Sequence, residues 1–163
     1  MTNVDRMDLL PLPITWQAVI PERYLDEMGH MNVAYYTHLF SDATGGFFEH
    51  FGMDRQYLEA NQAGTFALEA HIRYLSEVRV GKRVTIRTRA LGRTEKRLHF
   101  LHLMVLDEDA KLAATCEFIA AHIDMTIRRM SPLPEFIRQQ FDQLLDEHHR
   151  LAWEPLLCGS MQS

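Results

Sequence analysis

Seven consecutive residues, Asp26-Glu27-Met28-Gly29-His30-Met31-Asn32, hold a carboxylate, a turn-forming glycine, an imidazole and a helix-capping amide. The apolar run Val33-Ala34-Tyr35-Tyr36 follows at once. The first amides of a helix carry positive partial charge and can hold an oxyanion, and an acid beside them can act on water or on an acyl carbon. The chemistry this suggests is acyl transfer, with Asp26 as general base or as nucleophile. The plainer reading is that Asp26 only shapes the bend before the helix. His30 is read either as a general acid or as a structural histidine bonded to the turn. Asn32 is the expected cap, fixing the amides behind it, with Val33 the first of them. Asp42 and Glu49, further along the same run, are the remaining carboxylates in reach of such a site.

Other chemistries find less support. There are nine histidines, but their spacings do not converge. His99 and His102 point to opposite faces of a strand, Cys116 and His122 lie about 20 Å apart along one, and His148 and His149 diverge on a helix. No metal is expected. The chain has neither a Gly-x-Ser-x-Gly elbow nor a Gly-rich phosphate loop, and no resident cofactor is expected. The net charge of -5 is spread along the chain, without a basic block for nucleic acid. The Met1 to Leu10 segment carries two acids and no long apolar run, unlike a signal peptide. Apolar stretches elsewhere are too short for a membrane span. Cys116 and Cys158 are expected as reduced thiols in a cytoplasmic protein.

The elements that position Asp26 can be read from periodicity. One domain is expected over 1–163, with its core at about 14–150. Ile14, Trp16, Ala18 and Ile20 alternate onto one face of a strand that Pro21 ends. A helix from about Val33 to Phe51 follows, stopped by Gly52. It reads as apolar nearly all round, as if wrapped by other structure. A short helix over Asp54 to Gln62 comes next. Four strands follow, Thr65–Leu75, Arg83–Leu91, Lys96–Leu106 and Lys111–Asp124. In the first of them Phe66, Leu68, Ala70, Ile72 and Tyr74 share a face. The expected turns are Gly81-Lys82, Gly92-Arg93 and Asp107-Glu108-Asp109, and connections this short predict antiparallel sequential neighbours. After Ser131-Pro132-Leu133-Pro134 a terminal helix runs to about Arg150, with Phe136, Ile137, Phe141, Leu144 and Leu145 on one side. The fold class is α+β: a curved antiparallel sheet around one long helix, with a helix at the C-terminal end.

The turn Asp26-x-x-Gly29-His30-Met31-Asn32, with Tyr and an apolar helix after it, resembles the catalytic turn of the 4-hydroxybenzoyl-CoA-type hotdog thioesterases. Ile72-Arg73-Tyr74-Leu75 with Val78-Arg79-Val80-Gly81, and Arg128 ahead of Ser131-Pro132-Leu133-Pro134, resemble the same family further on. Tyr24 departs from the pattern, standing where many relatives carry a second Asp. The resemblance implies the hotdog fold, hydrolysis of an acyl-CoA thioester, Asp26 as the catalytic carboxylate, and CoA arriving only as part of the substrate. It also implies a homodimer or homotetramer with sites built from two chains. The apolar second faces of Lys96–Leu106 and Lys111–Asp124 are expected to be buried in that assembly. Arg128 and Arg129, or Arg87 and Arg89, are candidates for the CoA phosphates. Tyr35 and Tyr36 are expected to line the acyl site. A hotdog hydratase or dehydratase and a non-catalytic acyl-CoA-binding domain are the alternatives. Pro21 to Met31, Phe40 to Thr44 and Phe51 to Asp54 are also similar to the betainyl-CoA thioesterases of carnitine breakdown. For a quaternary ammonium acyl group, aromatic faces would come from Trp16, Tyr35, Tyr36, Phe47 and Phe48, with Asp42 or Glu49 as counter-charge.

Overall fold

The computed structural model describes residues 8–161, so expectations for residues 1–7 and 162–163 fall outside the described residues. Its elements are β1 (Ile14–Val19), α1 (Val33–Glu49), α2 (Arg55–Ala60), β2 (Ala63–Tyr74), β3 (Arg83–Arg93), β4 (Arg97–Leu106), β5 (Lys111–Asp124), β6 (Arg129–Met130) and α3 (Glu135–His149). The strands form one antiparallel sheet in the order β1-β3-β4-β5-β2, with β6 added to β5. The sheet curls around α1 in the hotdog arrangement.

Sequential neighbours do not all pair. β2 lies at the edge beside β5, and β3 sits on the other side of the sheet beside β1. The connection through Val78 and Gly81 is therefore a crossover rather than the hairpin its length suggests. It runs under the start of α1, where the Val78 carbonyl accepts the Met31 N–H at 2.8 Å. Gly92-Arg93 is not a turn either; both residues belong to β3, and the chain reverses at Thr94 to Lys96. The Thr94 hydroxyl accepts the Arg97 N–H there at 3.1 Å.

Four register shifts interrupt the sheet, and two of them reassign side chains that alternation alone places wrongly. In β1 the register slips between Ile14 and Trp16, so Ile14 leaves the face shared by Trp16 and Ala18 and is 45% exposed. In β2 it slips between Ala67 and Glu69. Ala70, Ile72 and Tyr74 keep the inner face, opposite Phe118, Cys116 and Ala114, but ahead of the bulge Thr65 and Ala67 take it. Phe66 turns to the outer face and Leu68 is exposed. One extra residue in a strand exchanges its faces, which is the physical reason for these corrections. The other two lie between Ala90 and Gly92 of β3 and between Met104 and Val105 of β4 where it pairs with β5.

α1 is apolar on one face only. Tyr36, Leu39, Phe40, Ala43, Phe47 and Phe48 are buried. Val33, Thr37, His38, Ser41, Gly45 and Glu49 are exposed in the single chain, so the helix is not wrapped all round by its own sheet. Its first half packs on Val84, Ile86, Met104 and Cys116. Its second half packs with Phe51, Phe100 and the α3 residues Ile137 and Phe141. Phe136, expected on that inner side, is 48% exposed, and His148 takes an inner place instead. Gly46 brings the helix against the β1 bulge; a Cβ there would lie 2.0 Å from the Thr15 carbonyl oxygen.

The outer faces of β3, β4 and β5 are covered by the chain itself. Leu101, Leu103 and Leu112 pack under Leu9 and Leu12 of the leader and Leu151, Trp153 and Leu156 after α3. The apolar second faces of β4 and β5 are thus buried within one chain and do not await a partner.

Candidate active site

The Asp26 turn is closed by its own hydrogen bonds. The Asp26 N–H donates to the His30 carbonyl at 2.9 Å, and the Gly29 N–H donates to the Asp26 carbonyl at 3.1 Å. Gly29 has φ of 78°, a left-handed conformation that glycine adopts without a Cβ penalty. Asp26 Oδ1 accepts the Met28 N–H at 2.9 Å and the His30 N–H at 3.3 Å. The turn-shaping role weighed for this acid is therefore real, and it occupies Oδ1. Among the described residues Oδ2 has no hydrogen-bond donor.

The helix start is fixed as the sequence suggests. Asn32 caps α1, its side chain accepting the Ala34 N–H at 2.9 Å. The Asn32 N–H donates to the Tyr24 carbonyl, and Leu25 bridges Met31, tying the turn to the helix. With Ala34 capped and the Tyr35 N–H donating to the Asn32 carbonyl at 2.9 Å, the Val33 N–H meets no acceptor among the described residues. Val33 is 60% exposed and lines a cleft, and its unpaired amide stands at the positive end of the helix.

His30 is partnered, though not by turn backbone. Its Nε2 lies 3.1 Å from the carboxylate of Glu77, on the crossover. Tyr24 is buried and stacks on Tyr35 with ring centroids 3.9 Å apart. Tyr36 is buried edge-on to Tyr74 at 5.0 Å, and burial raises its hydroxyl above the usual tyrosine range. A cleft of about 530 Å³ opens here, lined by His30, Val33, Tyr36, Tyr74, Glu77 and Lys111 among others. Tyr74, Glu77 and Lys111 escaped the sequence reading, because the crossover that brings them to the helix start looked like a hairpin.

Other candidates lie elsewhere. Phe47 is fully buried, packed with Phe51, Phe100 and Phe141, and Phe48 packs on Phe51 and Phe100. They belong to the core and do not form a cage with Tyr35 and Tyr36. Asp42 pairs with His38 at 3.7 Å on the helix surface. Glu49 lines a second cleft, with Gly45, Phe48 and Phe118, between α1 and β2. Arg128 ends the turn after β5 and Arg129 begins β6, beside the Ala63 end of β2, whereas the Asp26 turn is at the Tyr74 end. Arg128 lies 5.9 Å over the Phe66 ring. Arg87 holds the leader through the Leu12 carbonyl at 2.6 Å, and Arg89 holds the carbonyl of Trp153 at 2.7 Å. Both face away from the cleft at Val33.

One buried polar network had no sequence signal. His102 is fully buried, and burial pushes its pKa down to about 3. The Thr44 hydroxyl donates to the Phe40 carbonyl and sits 2.9 Å from His102 Nε2; Nδ1 lies 2.7 Å from the Thr88 hydroxyl. Thr44 spends its proton on Phe40, so a neutral His102 donates from Nε2 and accepts at Nδ1. His102 and His99 do face opposite sides of β4, His99 pairing with buried Glu117 at 2.9 Å.

Residues 20–141 match the model of the thioesterase-like superfamily. A betainyl-CoA thioesterase from Pseudomonas aeruginosa is 34% identical over 133 residues, which is 82% of this chain and 83% of that protein. An L-carnitine dehydrogenase/betainyl-CoA thioesterase from Agrobacterium fabrum is 36% identical over 121 residues, 74% of this chain but 25% of that longer protein. Among solved structures, a Staphylococcus aureus protein in complex with CoA superposes with a TM-score of 0.81 at 26% identity, covering 93% of this chain and 96% of its own. The chain belongs to the thioesterase-like superfamily and has its hotdog fold.

Proposed function

We propose that this hotdog thioesterase hydrolyses an acyl-CoA thioester at the cleft where α1 begins, using Asp26 and the Val33 amide. The observation that carries the reading is an unspent amide that lines the cleft at a capped helix start, preceded by a turn whose carboxylate keeps one oxygen open; Asp26 belongs to that turn and is not itself among the residues lining the cleft. The thioester carbonyl oxygen lies against the Val33 N–H, where developing negative charge meets the helix dipole. Asp26 Oδ2 takes a proton from water as the water oxygen bonds to the acyl carbon, or itself bonds to that carbon and forms a mixed anhydride that water opens. By either route the C–S bond breaks, CoA leaves as a thiolate that gains a proton, and the free acid departs. Neither route needs a metal or an organic cofactor. His30, held by Glu77, positions the turn, and Asn32 positions the amide.

The substrate reading is betainyl-CoA, supported by the two relatives that bear that activity in their names and by the chemistry of the cleft. Tyr36 and Tyr74 offer aromatic surface, and Glu77 offers negative charge beside it. A quaternary ammonium over such rings gains about 0.5–2 kcal/mol. Tyr35, expected beside them, stacks on Tyr24 instead and is not among the residues that line the cleft. The test is thiol release from betainyl-CoA and from a neutral acyl-CoA of similar size. Faster release from betainyl-CoA is the expected result. Equal rates remove the cation from the account, and saturable binding without thiol release replaces hydrolysis with an acyl-CoA-binding role.

The protein works as a homo-oligomer, at least a dimer, in the cytoplasm. The β2 edge carries exposed Phe66, Leu68 and Tyr74, an arrangement suited to pairing with a second sheet. Antiparallel pairing of two β2 edges puts the Arg128–Arg129 turn of one protomer at the Tyr74 end of the other. The two arginines then stand beside the cleft, as a site for CoA phosphates requires.

A further inference from the structure

The convex face of the sheet holds a cation whose burial the hydrolytic site does not explain. Arg89, in β3, is 5% exposed. Its guanidinium lies 4.3 Å over the Trp153 ring, and Nη1 donates to the Trp153 carbonyl at 2.7 Å. Its Nε is buried with no hydrogen-bond partner among the described residues, and no carboxylate there stands within ion-pair distance of it. A charged side chain is rarely buried this far without an opposite charge, because desolvation has to be offset by pairing. Burial lowers this guanidinium below the ordinary arginine range, with the charge of Glu154 acting the other way from beyond ion-pair distance, and an arginine keeps its proton.

Arg89 also lines a cleft of about 340 Å³ between the sheet and the segment after α3. Leu91, Leu151, Pro155 and Leu157 give that cleft apolar walls, and His149 and Glu154 are its other ionisable groups. His148, beneath it, is kept neutral: burial first, then the charge of Arg89, pushes its pKa down to about 4, and its Nδ1 accepts the Ala90 N–H at 2.8 Å. Arg89 is the arginine that lines the cleft, Arg73 reaching it only through the Leu157 carbonyl at 2.8 Å, and Glu154 is the group that would repel an anion.

We propose that this cleft is a second ligand site, taking a small organic carboxylate whose charged end meets Arg89 and whose apolar body lies against Leu151, Pro155 and Leu157. A carboxylate is the ordinary partner of a guanidinium and would meet it here through Nη2, since Nε is closed off and Nη1 donates to the Trp153 carbonyl, and the apolar walls favour a short hydrocarbon over inorganic anions. The site lies on the opposite face of the sheet from α1, so the inference stands apart from the hydrolytic reading.

The experiment titrates butyrate into the full chain and follows tryptophan fluorescence, since Trp153 stacks on Arg89. Butylammonium, of like size and opposite charge, and chloride at equal ionic strength are the controls. Saturable quenching or enhancement by butyrate alone is expected, lost in Arg89→Gln and several-fold tighter in Glu154→Gln. No saturable change, an equal response to butylammonium or chloride, or a response retained in Arg89→Gln overturns the proposal. If Arg89→Gln does not fold, Glu154→Gln decides: unchanged affinity in that variant overturns the proposal as well.

Discussion

At the scale of single residues, hydrogen bonds accepted by the Asp26 and Asn32 side chains hold the turn and the start of α1 in place. Asp26, Gly29 and Asn32 are a turn and a cap whatever surrounds them, and each makes the bonds its residue type suggests. Glu77, Tyr74 and Lys111 were not legible, because they reach the helix start through a crossover that no short-range pattern announces. Asn32→Ala removes the cap, with an expected loss of about 1 kcal/mol in chemical denaturation. Thiol release should fall with it, since the Val33 amide loses its fixed frame. A second expectation concerns pH. His102 and His148 have folded pKa values pushed down to about 3 and about 4, against 6.5 in the unfolded chain. Above pH 6.5 both states are neutral and stability is at its full value. As the pH falls, the unfolded chain takes up protons that the folded core excludes, and stability drains until the folded values are reached. Thermal midpoints should therefore drop between about pH 6.5 and pH 4, and His148→Gln, which keeps an acceptor for the Ala90 N–H, should flatten that slope. An unchanged slope in the variant would remove His148 from the explanation.

At the scale of elements, helices and strands were found close to where periodicity puts them, but faces were lost at bulges. Alternation put Ile14, Phe66 and Leu68 with the inner residues; a one-residue slip in β1 and another in β2 moved them out. A bulge has no reliable mark in a single sequence, since its extra residue is of ordinary type. The bulge in β1 has a counterpart in α1. Gly46 sits where a Cβ would strike the Thr15 carbonyl, while at Gly45 nothing lies within 4 Å. The adjacent alanine substitutions should therefore differ in sign. Gly46→Ala is expected to destabilise by about 1–3 kcal/mol through overpacking against backbone. Gly45→Ala is expected to stabilise by up to about 1 kcal/mol through helix propensity. Denaturant midpoints of the two variants check this, and similar losses in both would mean that the helix does not press on β1 as described.

At the scale of the whole molecule, the hotdog plan was legible because one long helix followed by four strands has few compact solutions. The strand order was not, because the link from β2 to β3 is short enough for a hairpin yet crosses the sheet. Nor was the coat over the convex face, since the leader and the segment after α3 have no regular period. Two edges stay exposed, β1 with Ile14, Trp16 and Val19 and β2 with Phe66 and Leu68; light scattering should report at least a dimer, and Phe66→Glu or Leu68→Glu should weaken it if β2 is the edge that pairs. A fully active monomer would contradict a site shared between chains. The account as a whole rests on hydrolysis by Asp26, and Asp26→Asn tests it most directly. The amide oxygen can still accept the Met28 and His30 N–H groups, so the turn survives while the base or nucleophile is lost. With folding verified by circular dichroism, thiol release from an acyl-CoA substrate should fall by about a hundredfold or more. Near-normal turnover by the folded variant would contradict the account and move the chemistry to another carboxylate, Glu49 or Asp42.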